Sequence, residues 1–161
     1  MPLLLKFLGC AVFMVAACGC GREPKKGGGH AATTKSDQSV ADLEAKLRFH
    51  GFHEPADLKR LLGELRDAAH RGDKTTLVNA IHYPFTTYDR GSPVREYASH
   101  ADVLDDYDTI FSAVVLDALR GARYISLFVR DQGAMVGRGA VWLFQYDEGV
   151  RIKAINSNSP R

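Results

Sequence analysis

The sequence predicts an α+β domain in which N-terminal helices pack on a curved, mostly antiparallel sheet. Apolar residues recur at helical spacing through the first half of residues 39–161, and short segments of alternating polarity follow towards the end. Glycine-containing turns separate these short segments. Runs of helices beside runs of strands are typical of α+β folds, and a chain of 161 residues suffices for one such domain.

Three helices are predicted before the first strand. One starts near Ser39 and is broken by Gly51. Pro55, which a first helical turn tolerates, opens the second helix, and Arg71-Gly72-Asp73 ends it. Asp73 caps the third, KTTLVNAIHY, which Pro84 ends. The residues expected to face the core are Val40, Leu43, Leu47, Leu58, Leu61, Leu62, Leu65, Ala69, Leu77, Val78 and Ile81.

The second half of the domain is predicted to begin with a hairpin. Its strands are PFTTYDR and VREYAS, joined at Gly91-Ser92-Pro93. Ser99 and Asp102 match a capping box that opens a helical stretch, in one or two pieces, up to Gly121. Three strands then finish the chain, RYISLFVR, AMVGRGAVWLFQY and VRIKAIN, and Gly137-Arg138-Gly139 is interpreted as a bulge or a close backbone approach.

At this order of elements, residues 40–157 resemble the nuclear-transport-factor-like superfamily, the cone-shaped fold that includes ketosteroid isomerase and SnoaL-type cyclases. The segments that carry the resemblance are LLGELRDAAHRGDKTTLVNAIHYPF, DVLDDYDTIFSAVV and GRGAVWLFQYDEGVRIKAIN. The resemblance implies a curved sheet that wraps against the helices and leaves an apolar pocket inside the cone.

The N-terminus is typical of a secretory signal peptide. Lys6 precedes an apolar run from Phe7 to Ala17, within the roughly 7–15 residues of a signal core and shorter than the ~20 that span a membrane. At its end, Val15-Ala16-Ala17-Cys18 resembles the bacterial lipobox. That resemblance implies a signal peptide over residues 1–17, cleavage before Cys18 and fatty acylation of its sulfur, as with palmitate.

The residues after Cys18 predict location and reach. Gly19 follows the cysteine, and in Gram-negative lipoproteins a residue other than Asp there implies transfer to the outer membrane, facing the periplasm. Residues 18–38 are rich in Gly, Lys and Thr without apolar periodicity, which predicts a flexible tether. Cys20 is interpreted as incidental, because a Cys-x-Cys pair alone neither closes a zinc site nor has redox-pair spacing.

Composition argues against several function classes. The net charge is +2, and its basic excess lies in the N-terminal segment, so no nucleic-acid partner is predicted. Serine-hydrolase elbows, phosphate loops and dinucleotide fingerprints are absent from the sequence, and no cofactor is predicted. The segment HGFHE at residues 50–54 matches no zinc-protease pattern, so we predict no metal site.

The closing strands have one aliphatic and one aromatic face. Leu127 and Val129 alternate with Phe128, and Leu143 lies between Trp142 and Phe144. An antiparallel sheet with a solvated face would show cleaner polar alternation, so the aromatic face is predicted to be covered by a ligand, a partner subunit or helices. The candidate pocket residues are Tyr83, Tyr88, Tyr107, Phe128, Trp142 and Phe144.

No catalytic residue is predicted. His82 is a candidate base but is interpreted as a packing or surface residue, and Asp105, Asp106 and Asp108 as an exposed acidic helix edge. We therefore expect a membrane-anchored envelope lipoprotein whose domain binds a small ligand or a protein without catalysis, with a possible homodimer through the sheet face. The alternatives are an isomerase or dehydratase acting on a hydrophobic small molecule in the cone, and an immunity- or inhibitor-type interaction module.

Overall fold

The computed structural model describes residues 35–131 and 133–157, with side chains from residue 39 onward. The predicted signal peptide, Cys18, Cys20 and the tether up to residue 34 lie outside the described residues. Within them the predicted α+β class is confirmed, because helices accompany a six-stranded sheet. The elements are α1 (Lys35–Phe49), α2 (Pro55–Arg71), α3 (Lys74–Asn79), β1 (Ile81–Asp89), β2 (Ser92–Tyr97), α4 (His100–Asp105), α5 (Tyr107–Ile110), α6 (Ala113–Arg120), β3 (Phe128–Arg130), β4 (Gly133–Val136), β5 (Val141–Tyr146) and β6 (Gly149–Asn156).

The sheet is mixed but mostly antiparallel, with the strand order β2-β1-β6-β5-β4-β3. Among the strand pairs of the described chain, only β1 and β6 run parallel. Helices α2 and α6 pack against β6 and β5, and their apolar stripes form one core with the aliphatic face of the sheet. The chain thereby places its helices on one face of the sheet.

Local signals for helix ends are confirmed at several positions. Pro55 opens α2, and Gly72 ends it in the left-handed conformation, at φ 69°. The Asp73 carboxylate accepts the Thr76 backbone N–H at 3.1 Å and so caps α3. Ser99 forms the predicted capping box at the start of α4. Helix α1, by contrast, begins at Lys35, ahead of the predicted start near Ser39.

The predicted end of the third helix at Pro84 is wrong. Helix α3 ends at Asn79, and β1 begins at Ile81, so Pro84 lies inside a strand. The strand accepts the proline because pairing with β6 is interrupted between Ile81 and Thr86, and pairing with β2 starts only at Phe85. A proline without an N–H therefore breaks no ladder hydrogen bond there.

The predicted helical stretch after Ser99 is divided into three short helices, not one or two. Asp106 separates α4 from α5, with φ −102° and ψ 16°, and Phe111 ends α5. The carboxylate of Asp106 pairs with the Arg95 guanidinium and accepts the Tyr97 hydroxyl at 3.1 Å. The prediction of an exposed acidic edge is therefore wrong for Asp106, which is half-buried and bonded to residues of β2. Asp108, by contrast, is 88% exposed.

The closing strands are shorter than predicted. Residues Tyr124–Ser126 form a 3₁₀ turn, so only the end of RYISLFVR is a strand, and Ile125 is exposed. The segment AMVGRGAVWLFQY is a hairpin of β4 and β5. Its turn contains consecutive residues at positive φ, including Gly137 at 59° and Arg138 at 55°. A β-carbon on Gly137 would lie 2.2 Å from the Ala118 β-carbon, which confirms the predicted close backbone approach.

Candidate functional site

The two faces of the sheet differ as the alternation predicts. On β5, Val141 and Leu143 are fully buried beneath the helices, whereas Trp142, Phe144 and Tyr146 are partly exposed on the opposite face. We call this opposite surface the aromatic face. Of the three predicted coverings, helices do not provide it in the described part of the chain, because they pack on the aliphatic side.

An open hollow of about 400 Å³, here called the sheet cleft, lies on the aromatic face. It spans three neighbouring strands, β1, β6 and β5, and extends to the β1–β2 turn. Its walls are mainly apolar, with the Trp142 and Phe144 ring centroids 6.5 Å apart. The lining residues are Tyr88, Gly91, Trp142, Phe144, Lys153, Ala154, Ile155 and Asn156.

A β-bulge shapes the floor of the cleft. Trp142 pairs with Ala154 and Leu143 pairs with Ile152, so Lys153 is an extra residue on β6 without a counterpart on β5. In regular pleating, neighbouring residues point to opposite faces, but Lys153 and Ala154 both line the cleft. The bulge therefore sets Lys153 and Ala154 side by side next to the aromatic walls.

The polar groups of the cleft are few and mostly donors. The Asn156 Oδ1 atom accepts the Arg90 backbone N–H at 3.3 Å, which leaves its amide N–H₂ group for other partners. Lys153 brings an ammonium group, which only donates, and Tyr88 brings a phenol hydroxyl. None of the eight described lining residues is acidic. The cleft thus offers hydrogen-bond donors at the edge of an apolar surface.

The structure brings three of the six sequence-predicted pocket residues together, namely Tyr88, Trp142 and Phe144. Phe128 lies near the β3 edge, 49% exposed, with the Lys46 ammonium 5.4 Å from its ring centre. The other two are placed elsewhere.

Tyr107 belongs to the core, and Tyr83 packs against the core. The Tyr83 hydroxyl donates to the Val78 carbonyl at 3.5 Å, and burial together with the Asp102 charge raises the pKa of Tyr83 to about 12. Tyr107 is buried and stacks on Phe111 with ring centres 4.8 Å apart. Burial, followed by the nearby Asp108 charge, also raises the pKa of Tyr107.

Sequence reasoning missed Lys153, Ala154 and Asn156, whose place in the cleft depends on strand register. The sequence does carry a signal for the Phe144 wall of the cleft, the glycine at position 133. It is the β4 partner of Phe144, and a β-carbon there would lie 2.6 Å from the Phe144 ring. A glycine at a strand start beside an aromatic strand indicates close approach of a side chain.

A second group of polar residues lies where β1 meets the β5–β6 turn. The His82 ring stacks on Tyr146 at 3.7 Å, and its Nδ1 atom is 2.8 Å from the Glu148 carboxylate. Hydrogen bonds from its own backbone N–H and from His82 lower the pKa of Glu148. Burial, followed by the Glu148 charge, raises the pKa of Tyr146. Sequence reasoning singled out His82 but not its carboxylate partner.

No protein-family model matches this chain, and no curated protein or solved structure is significantly similar to it. Among the helices at residues 35–131 and 133–157, none combines the length and hydropathy needed to cross a bilayer. Over the same residues, no group of three or more His, Cys, Asp or Glu side chains is arranged to hold a metal ion.

Proposed function

We propose that this protein is a lipid-anchored envelope lipoprotein whose α+β domain binds a small apolar molecule in the sheet cleft without catalysing a reaction. The observation that carries the binding proposal is the cleft itself, with Tyr88, Trp142 and Phe144 around about 400 Å³ on a face that the described helices leave uncovered. Small-molecule sites typically enclose about 300–1,000 Å³ and are lined mainly by apolar and aromatic side chains with few polar groups.

The nuclear-transport-factor-like resemblance gives weaker support. It implies a sheet backed by helices, and the described sheet carries its helices on one face. The cone shape and membership of that superfamily are part of the proposal. The resemblance implies a pocket on the helix side, where the described side chains form a closely buried core. We therefore base ligand binding on the geometry of the cleft.

Fluorescence of Trp142 tests the binding proposal, because it is the only tryptophan of the chain. The full-length protein in non-ionic detergent is titrated with N-phenyl-1-naphthylamine, a neutral apolar dye, and energy transfer from Trp142 to the dye is recorded. The substitution Ala154→Phe fills the cleft and abolishes saturable transfer. The matched control Ala113→Phe adds the same ring at an exposed position of α6 and leaves transfer intact. Equal transfer in both variants contradicts the proposal.

The anchor part of the proposal rests on the sequence around Cys18, outside the described residues. Two acyl chains hold a protein stably at a membrane, whereas one binds only marginally. Cells expressing the protein are labelled with a fatty acid that carries an alkyne. Cys18→Ala eliminates the label and Cys20→Ala keeps it, while retention of the label by Cys18→Ala contradicts the anchor. In a Gram-negative host, Gly19→Asp shifts the labelled protein from outer- to inner-membrane fractions.

Isomerase or dehydratase chemistry is the second candidate, favoured by the contact of His82 with Glu148 at 2.8 Å. A carboxylate that accepts one ring N–H of a histidine orients the ring and leaves the other nitrogen free to take a proton. Medium-chain β-hydroxy acids and their unsaturated counterparts are incubated with the protein and followed by mass spectrometry. Conversion that is lost in His82→Gln supports an enzyme, and no conversion by the wild type supports binding alone.

A further inference from the structure

We infer that the sheet cleft takes an amphipathic anion, an apolar body with one negatively charged head, and that Lys153 is the partner of that charge. The assignment rests on the proposed ligand-binding function and specifies its ligand class. Three features of the cleft support it: the donors on its edge, the lack of a charge or ring partner for Lys153 among the described residues, and the bulge that sets Ala154 beside this lysine.

The polar groups of the cleft favour a ligand that accepts hydrogen bonds. Lys153 donates through its ammonium group, Asn156 through its amide N–H₂ and Tyr88 through its hydroxyl. The acceptor oxygen of Asn156 is already used by the Arg90 backbone. With no acidic residue among the described lining, a cationic ligand would find no charge partner, whereas a carboxylate or phosphate would find several donors.

Lys153 differs from the other lysines whose side chains the structure describes. Lys46, Lys59 and Lys74 each lie over an aromatic ring, with the ammonium 5.4, 5.7 and 4.4 Å from the ring centre. Lys74 also pairs with a carboxylate. Among the described residues, Lys153 forms neither kind of contact, although it borders Trp142 and Phe144. Its charge is therefore available to a bound molecule.

The bulge places Lys153 and Ala154 side by side on the cleft. Ile152 faces the core, so regular alternation directs Lys153 to the aromatic face, and the extra residue keeps Ala154 on that face as well and returns Ile155 to the core. Bulges commonly re-aim a side chain next to functional sites, at the expense of regular pairing. Here the change of register between Trp142 and Leu143 sets the cation of Lys153 next to Ala154 on the same apolar surface.

Two dyes with the same aromatic body isolate the charge. 1-Anilinonaphthalene-8-sulfonate carries one negative group, and N-phenyl-1-naphthylamine lacks it. Both are titrated against the full-length protein in non-ionic detergent, with energy transfer from Trp142 as the readout. Lys153→Gln weakens binding of the anionic dye roughly three- to tenfold and leaves the affinity for the neutral dye unchanged. The matched control Lys59→Gln, an exposed lysine of α2, leaves both affinities unchanged.

The salt dependence of dye affinity is a second readout. If the role of Lys153 were purely structural, its substitution would leave this dependence unchanged. Raising the ionic strength weakens binding of the anionic dye to the wild-type protein, because salt screens exposed charges. The Lys153→Gln protein loses most of this salt dependence. Binding of the neutral dye does not depend on salt in either protein.

The charged head has two possible sources, a free fatty acid or a membrane phospholipid. Competition against the anionic dye distinguishes them. Decanoate, but not decanol, displaces the dye if the ligand is a free fatty-acid anion. Dihexanoylphosphatidylglycerol displaces it more effectively than decanoate if the phosphate of a lipid headgroup is the preferred partner.

The outcomes separate this inference from the proposed function. If both dyes bind and Lys153→Gln affects them equally, the anion assignment is overturned while the ligand-binding proposal stands. If neither dye shows transfer that Ala154→Phe removes, the proposed function fails and the anion assignment with it. Light scattering on the same samples measures the oligomeric state. A dimer that excludes both dyes would show that a second copy of the chain covers the cleft, and that result also overturns the assignment.

Discussion

The ring of Phe144 lies over Gly133, so closely that a β-carbon on the glycine would come within 2.6 Å of the Phe144 Cε2 atom. The two residues are direct cross-strand partners in β4 and β5. Because real β-carbons do not make contacts this short, the ring can keep its place only beside a glycine. Gly133 thereby fixes one aromatic wall of the sheet cleft.

Gly133→Ala is expected to displace the Phe144 ring. Because the partly exposed Phe144 ring can turn into the open cleft, the added methyl group costs less than the ~1–3 kcal/mol of overpacking a closed core. It also weakens binding of the neutral dye, because the wall of the cleft moves. Urea denaturation and the Trp142 transfer assay measure the two effects. Unchanged dye affinity together with unchanged stability would show that the ring position does not depend on the glycine.

Gly63→Ala is expected to have the opposite sign. Gly63 lies inside α2, its backbone is helical, and a β-carbon there meets nothing within 4 Å. Alanine restricts the unfolded chain and favours the helix, so the free energy of unfolding rises by about 0.5–1 kcal/mol. Urea denaturation measures the change. A loss of stability would indicate an unrecognised contact at this position.

Ser99→Ala is expected to destabilise the protein by about 1 kcal/mol. The Ser99 hydroxyl accepts the Asp102 backbone N–H, and the Asp102 carboxylate accepts the Ser99 backbone N–H at 3.0 Å. Removing a side-chain cap leaves an N-terminal N–H of α4 unsatisfied. Thermal and urea unfolding measure the cost. Ser99→Thr keeps the hydroxyl, which both accepts from the Asp102 N–H and donates to its carboxylate at 2.8 Å, so it serves as control and recovers most of the loss.

Asp73 makes stability depend on pH in the acidic range. The Thr76 hydroxyl donates to its carboxylate at 2.7 Å, and this bond, followed by the Thr76 backbone N–H, lowers the pKa of Asp73 below its ordinary 3.8. A pKa that is lower in the folded state stabilises the protein above the ordinary value, and the contribution is lost as pH falls through the folded pKa.

The variant Asp73→Asn keeps a capping acceptor but does not titrate. Below pH 4, the free energy of unfolding of the wild type is therefore expected to fall more steeply than that of Asp73→Asn. Thr76→Val removes the hydroxyl donor and reduces the wild-type slope. Urea unfolding at a series of pH values tests both expectations, and equal slopes in all three proteins would refute the role of this bond.

The helix ends were predictable because their causes are local. Pro55, Gly72 and Asp73 act within one helical turn, through a fixed φ, a left-handed φ or a side-chain acceptor. The capping box at Ser99 has the same origin. Such signals involve residues three or four positions apart, and no distant segment needs to be known.

The strands were predicted less well because their pairing partners are distant in sequence. Pro84 marks the end of a helix by local rules, yet it lies in β1, where the ladder to β6 is interrupted. The predicted strand RYISLFVR begins instead with a 3₁₀ turn at Tyr124–Ser126, in which the Tyr124 hydroxyl donates to the Pro55 carbonyl at 3.4 Å. Contacts over such separations override the alternating pattern.

The aromatic composition of the cleft was predictable, but its position was not. Alternation along β5 placed Trp142 and Phe144 on one face, because side chains alternate in any extended strand. The assembled sheet decided which face the helices cover. It also decided that Tyr88 joins these rings while Tyr107 packs in the helical layer.

By itself, the sequence determined the α+β class, the ends of several helices and the two-faced character of the closing strands. These follow from apolar periodicity and from capping residues, which act over a few neighbouring positions. Only the tertiary structure decided the register of β5 on β6, which brings Lys153 and Ala154 to the same cleft. Register is set by the packing of whole strands, and a shift of one residue moves a side chain to the other face.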